Sequence, residues 1–180
     1  MDSLFSKPPV LGFAAFSGTG KTTLLEALLP MLRERNLRVG VIKHSHHDFE
    51  VDRAGKDSFR LRKAGAQQML VASSFRTVVI EEQYPPQEPR LEPLLLKLER
   101  GKLDLILVEG FRHERFPKIE LHRQAHGKPF LHRQDDSIIA LASDQPLTGT
   151  ALPQLDLNQP RQILRFILDF IDTAQTGALE

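Results

Sequence analysis

The 180-residue chain carries 24 Lys plus Arg against 23 Asp plus Glu, a net charge of +1. That balance supports neither a broad nucleic-acid surface nor a membrane-binding one, so any charge that meets phosphate must be local. Cysteine is absent, which excludes disulfides and thiolate metal sites and agrees with a reducing compartment, making the cytoplasm the expected location. Length and composition fit a single α/β domain over residues 1–180, with frayed tails at about 1–8 and 174–180. The start MDSLFSKPPV has no basic, apolar secretory pattern, and no window of 18 apolar residues offers a membrane span.

Taken in chain order, Val10 to Phe16 is apolar without alternation, as a parallel strand buried on both faces should be. Leu24, Leu25, Leu28, Leu29 and Leu32 then recur at helical spacing from a start near Gly20. Pro30 falls inside that helix and predicts a kink or an early end. Arg38 to Lys43 is a second strand, and Asp52 to Ala64 a helix that Gly65 stops. Gln68 to Ala72 and Thr77 to Ile80 are too close for a parallel crossover and read as a hairpin. A proline-rich loop leads to a helix over about Leu91 to Arg100, then to a buried strand, Leu103 to Val108. Lys118 to His122 is strand-like, residues 123–136 form a long polar loop, Ser137 to Ala142 is another buried strand, and Arg161 to Ile171 closes the chain as an amphipathic helix.

Between the first strand and the first helix stands A-F-S-G-T-G-K-T, residues 15–22. Gly18 and Gly20 allow successive backbone N–H groups to curl around a phosphate, Lys21 adds an ammonium and Thr22 a hydroxyl for Mg2+, while the helix start supplies its positive end. Ser17, Gly18, Thr19, Gly20, Lys21, Thr22 and Thr23 are therefore the expected nucleotide-binding residues. Ala15 replaces the usual first glycine. The fold expected from these features is a P-loop NTPase fold, a mostly parallel sheet flanked by helices with one hairpin.

A carboxylate should stand at the end of a buried strand beside the phosphates. Glu109, after Leu105 to Val108, fits; Asp104 precedes that run and belongs at the far end of the sheet. The second strand ends in KHSHHD, residues 43–48. Asp48 is a candidate for Mg2+ or for positioning the attacking water, and His44, His46 and Asp48 form either a divalent-metal set or a plain polar loop. Lys56, Arg60, Arg62 and Lys63 read as the solvated face of a helix in preference to a second phosphate site. No N-K-x-D guanine signature is present; Asp144 either reads the base or simply opens the turn before Pro146.

Together, AFSGTGKTT, IKHSHHD, AGKDS, LRKAGA, LILVEGF and ASDQP resemble the molybdopterin-guanine dinucleotide biosynthesis adapter family, over about residues 10–145. The resemblance implies a dimeric GTP-binding partner of a molybdopterin guanylyltransferase, with slow hydrolysis. It places Ser17 to Thr23 on the phosphates, Thr22 and Glu109 near Mg2+, and Asp48 with the histidines in a switch-like loop. The alternative reading is a small-molecule kinase that uses ATP on the same P-loop.

Overall fold

The computed structural model describes residues 3–5, 7–45 and 48–177. In chain order its strands and helices are β1 (Val10–Ala14), α1 (Lys21–Arg33), β2 (Val39–Lys43), α2 (Asp57–Lys63), β3 (Gln68–Ala72), β4 (Thr77–Glu81), α3 (Leu91–Lys97), β5 (Leu105–Glu109), β6 (Lys118–His122), β7 (Ile138–Ser143), β8 (Gln154–Asp156) and α4 (Pro160–Thr176). They divide into two compact units, Met1–His44 with Arg90–Glu180, and Ser45–Pro89.

In the first unit, among the described residues, six strands make one sheet in the order β2-β5-β1-β6-β7-β8. Every neighbouring pair is parallel. Alternation along the strands sorts the core into two faces. Leu11, Phe13, Leu105, Leu107, Ile119 and Leu121 meet Leu24, Leu28 and Leu32 of α1 and Ile163, Ile167 and Ile171 of α4. Val10, Ile106, Val108 and Ile42 point the other way, onto Leu91 and Leu95 of α3 with Phe111 and Phe116. The chain leaves β1 through α1 for one side of the sheet and later returns to β6 on the other. The ends of β5, β1 and β6 therefore border the kind of crevice in which α/β sheets bind ligands.

Pro30 does not end α1, which runs three residues further, to Arg33. The carbonyl that loses its partner belongs to the exposed Glu26, where water can replace the missing amide. The helix expected over 52–64 is shorter, Asp57–Lys63, because Asp52 serves as a carboxylate partner outside it. The helix expected to reach Arg100 stops at Lys97: Leu98 is extended, and a 3-10 turn, Arg100–Lys102, follows. β8 lies in a stretch where no strand is expected, being three residues of mixed polarity.

The described residues near the N-terminus are docked and not frayed. Ser3–Phe5 form a 3-10 turn, the Phe5 and Phe116 rings stack with centroids 6.0 Å apart, and Arg100 donates to the carbonyls of Leu4 (2.6 Å) and Lys7 (2.7 Å). At the other end α4 continues through a buried Ala174.

The second unit contains α2 and the antiparallel hairpin β3–β4, in register from Gln68 with Glu81 to Ala72 with Thr77. The Ser73 hydroxyl accepts from the amides of Phe75 and Arg76, which fixes the turn. Arg62 corrects the sequence expectation of a solvated face. It is buried and ion-paired with Glu50, Asp52 and Glu82. Those bonds hold the Glu50 and Asp52 carboxyls below their ordinary pKa and raise that of the guanidinium.

Gly12 on β1 is required by space. A Cβ there would lie 2.6 Å from Phe116 Cε2 and 2.7 Å from Lys118 Cγ. Gly12→Ala should destabilise the protein by about 1–3 kcal/mol, the usual cost of overpacking, and Phe116→Leu in the same chain should recover part of that loss. Urea denaturation of the parent, the two single variants and the double variant measures both.

Candidate functional site

The loop after β1 reverses sharply because Gly18 and Gly20 sit at φ 79° and 101°, a region that side chains rarely enter. Ala15 in place of glycine is accommodated because its methyl is buried in the core cluster beneath α1. The Thr19 hydroxyl is buried and donates to the Phe16 carbonyl at 2.9 Å. Only the Thr19 backbone is left for a ligand. Ser17, Gly18, Thr22 and Thr23 are exposed along the loop and the first turn of α1.

Lys21 folds back over the loop, its ammonium donating to the carbonyls of Phe16 (3.0 Å) and Ala15 (3.2 Å). Burial pushes its pKa down and the Glu109 carboxylate pushes it back up, while Arg112 and Lys43 add to the lowering. At the end of β5, Glu109 accepts from the Thr22 hydroxyl at 3.2 Å and pairs with Lys43 at 3.2 Å. Asp104 lies at the opposite end of the same strand, in a bidentate pair with Arg38 that holds its carboxyl down at about 2. A hydroxyl beside a carboxylate at the mouth of a phosphate loop is the oxygen donor pair that Mg2+ prefers. The donor set fits that ion.

His44 belongs to the same edge. Its amide donates to the Glu109 carbonyl at 2.8 Å, and its ring stacks on Phe111 with centroids 4.7 Å apart. Gly110, at φ 102°, is the required residue between them, since a Cβ there would lie 2.6 Å from that of His44. Asp48 is exposed in the second unit; His46 and His47 lie outside the described residues.

Asp144, at the end of β7, accepts the Gln124 amide on Oδ1 at 2.9 Å and borders a cavity of about 270 Å³ with Gln154 and Asp156. The preceding residue, Arg123, donates from Nε to the Thr19 carbonyl at 3.1 Å and reaches Asn158 at 3.2 Å. Two consecutive residues thus tie Asp144 to the phosphate loop.

Arg112 and Arg123 are the site residues that the sequence did not disclose. Arg112 lies with its guanidinium 5.3 Å from the centre of the Phe16 ring. Their contacts are to a backbone carbonyl, a side-chain amide and ring atoms, which leave no mark at a fixed spacing.

A family model described as molybdopterin guanine dinucleotide synthesis protein B matches residues 10–144. The chain belongs to that family. It is 47 % identical over 164 residues to the molybdopterin-guanine dinucleotide biosynthesis adapter protein of Escherichia coli K12, covering 91 % of this chain and 93 % of that relative. Identity to the protein of the same description from Haemophilus influenzae is 44 % over 163 residues, covering 91 % and 89 %. Among solved structures, a molybdopterin-guanine biosynthesis protein B superposes with a TM-score of 0.72 at 25 % identity, covering 91 % of this chain and 99 % of that one. The fold of this family is the mostly parallel, helix-flanked sheet expected from the sequence.

Lys21→Ala should weaken nucleotide binding about tenfold to a hundredfold, the value of a charge-assisted phosphate contact, without unfolding the chain. Glu109→Gln should leave Mg2+-free binding nearly intact and reduce the extra affinity that Mg2+ brings. Titration calorimetry with and without Mg2+ reads both; unchanged behaviour would remove these residues from the site.

Proposed function

We propose that this chain is a GTP-binding adapter in molybdopterin guanine dinucleotide biosynthesis, binding the nucleotide more than turning it over and assisting a molybdopterin guanylyltransferase. The family and the relatives' shared description as adapter proteins support the pathway and the role. The observation that carries nucleotide binding is the meeting of the Thr22 hydroxyl with Glu109 beside the Lys21 ammonium. In this reading the backbone N–H groups of residues 17–23 and the Lys21 ammonium hold the phosphates. Thr22 and Glu109 would hold Mg2+, which neutralises charge on the phosphate oxygens.

Base preference rests on Asp144. Guanine presents donors at N1 and N2 that one carboxylate accepts together, whereas adenine offers no such pair. The short link from Thr19 through Arg123 and Gln124 to Asp144 gives a purine reason to lie beside that carboxylate when its phosphates occupy the loop. Slow turnover accords with an Arg123 already engaged by Thr19 and Asn158. Asp48 is proposed to position water, so Asp48→Asn should lower single-turnover hydrolysis more than GTP affinity. Dimerisation would cover Leu70, Phe75 and Val79, large apolar side chains exposed on the hairpin. No helix among the described residues is long and apolar enough to cross a membrane, which accords with a cytoplasmic location.

Competition binding of GTP, ATP and xanthosine triphosphate tests this reading against the ATP-dependent kinase. The parent should prefer GTP. Asp144→Asn, which replaces one acceptor by an amide donor, should lose GTP affinity and gain affinity for the xanthine nucleotide, whose 2-carbonyl accepts where guanine donates. A parent that prefers ATP, or a variant that keeps its GTP preference, would overturn the guanine reading.

A further inference from the structure

One strand carries an expensive arrangement that nucleotide binding alone does not explain. Lys118, Glu120 and His122 alternate along β6 on one face, and all three are buried. Charges so placed incur a large desolvation penalty unless every lone pair and proton is matched. Here each partner comes from the turn before β6 or from the loop 123–136 after it. The Lys118 ammonium pairs with Asp135 at 2.7 Å and donates to the carbonyls of Arg112 (3.1 Å) and Glu114 (2.5 Å). The Glu120 carboxylate accepts the amides of Leu131 (2.6 Å) and His132 (2.9 Å) and bonds to the His132 ring nitrogen at 2.7 Å. His122 is 3.0 Å from the Lys128 carbonyl and stacks on Phe130 with centroids 3.9 Å apart. The loop read from sequence as an exposed polar stretch is thus fastened by its backbone.

What the fastening shapes is a cavity of about 490 Å³ that begins at Phe16 of the phosphate loop and is walled by Phe130 and Leu131. That size is within the range of small-molecule sites. Its polar lining, Arg112, His113, Arg115, Gln134, Asp135 and Asp136, is varied in chemistry. Arg112 is oriented by a bond from its Nε to His113 at 3.1 Å, with its guanidinium against the Phe16 ring, and its other nitrogens have no carboxylate partner among the described residues. Gln134, its backbone amide bonded to the Leu131 carbonyl at 2.9 Å, brings a carboxamide to the lining. Asp136 is held at both oxygens by Arg115, at 2.7 and 2.8 Å.

We propose that this cavity binds a planar, hydrogen-bonding heterocycle that carries a phosphate, beside the nucleotide and separate from it. Phe16, with Arg112 and Lys128 over its ring, and Phe130, with Arg133 over its ring and His122 stacked on it, give the cavity cation-edged aromatic surface suited to a flat, anionic ring. The Gln134 carboxamide and the Asp136 carboxylate suit a ring edge that both donates and accepts, and Arg112 suits the phosphate. Both lining aspartates are ion-paired, Asp135 with Lys118 and Asp136 with Arg115. The chemical class rests on the functional reading above, in that a phosphorylated pterin is a member of it; the cavity and its lining do not.

The probe is neopterin 3′-monophosphate, followed by its own fluorescence against the full-length protein, with GTP affinity measured on the same samples. Saturable binding is expected both without nucleotide and with saturating GDP. Unphosphorylated neopterin, and the phosphorylated probe against Arg112→Ala, should each bind about tenfold more weakly, the loss of one charge-assisted phosphate contact. Gln134→Ala should weaken both pterins alike. Three results overturn the proposal: no saturable binding to a parent that binds GTP, displacement of the probe by GDP at one-for-one stoichiometry, or affinities that ignore both substitutions. If Arg112→Ala weakens GTP alone, Arg112 serves the nucleotide and the cavity is not a second site. A parent that binds the probe but not GTP would leave the cavity standing and defeat the nucleotide reading.

Discussion

Glu109 is where the separate parts of the sheet edge become one site. Its side chain accepts from Thr22 at the head of α1 and pairs with Lys43 at the end of β2, while its carbonyl takes the amide of His44. A carboxylate shared between a hydroxyl and an ammonium is charged, hydrogen-bonded and fixed in direction. The chain can hold it there only because Gly110 immediately afterwards adopts a left-handed conformation and leaves room for His44. Moving that side chain would loosen the end of β2 from β5 and leave Lys21 among Arg112 and Lys43 without the negative charge that offsets them. The two aromatic–histidine stacks, His44 on Phe111 and His122 on Phe130, then brace the loops on either side of this edge.

The parts legible in the sequence are those with a local cause. Gly18 and Gly20 could be read because a positive φ has few substitutes, and Glu109 because an acid after four apolar residues belongs at a strand end while Asp104 before them belongs at the other. The hairpin was legible from the shortness of Ser73 to Arg76. For Lys118, Glu120 and His122 the strand was legible and the burial was not. Alternation with Ile119 and Leu121 marks a strand correctly, yet polar residues on its second face normally mean solvent. Apart from the Asp135 carboxylate and the His132 ring, their burial depends on amides and carbonyls between residues 112 and 132, and a backbone group is present at every position, so it carries no signature. Arg62 fails likewise: its partners at 50, 52 and 82 are acids among other acids, and nothing at helical spacing selects them.

The two units also differ in how they are held. The first has an apolar core on both faces of its sheet. The second gathers three carboxylates around one guanidinium and leaves Leu70, Phe75 and Val79 of its hairpin exposed. Removing Arg62 would leave Glu50, Asp52 and Glu82 as neighbouring like charges with no shared partner. The local stability of the second unit is therefore concentrated in a few bonds, and it is the unit that carries Asp48.

Heat should act unevenly on the fastening along β6. Charged groups are hydrated with a strongly negative entropy, so the penalty for keeping Lys118 and Glu120 out of water shrinks as temperature rises, while apolar burial per unit area levels off. A loop pinned by apolar packing alone would peel away first on warming, but one pinned at Leu131 and His132 by a buried carboxylate gains relative to the core beneath it. The wall beside Phe16 should consequently persist until the sheet itself gives way, so that the melting of this part of the molecule is a property of the whole parallel sheet and not of a surface loop.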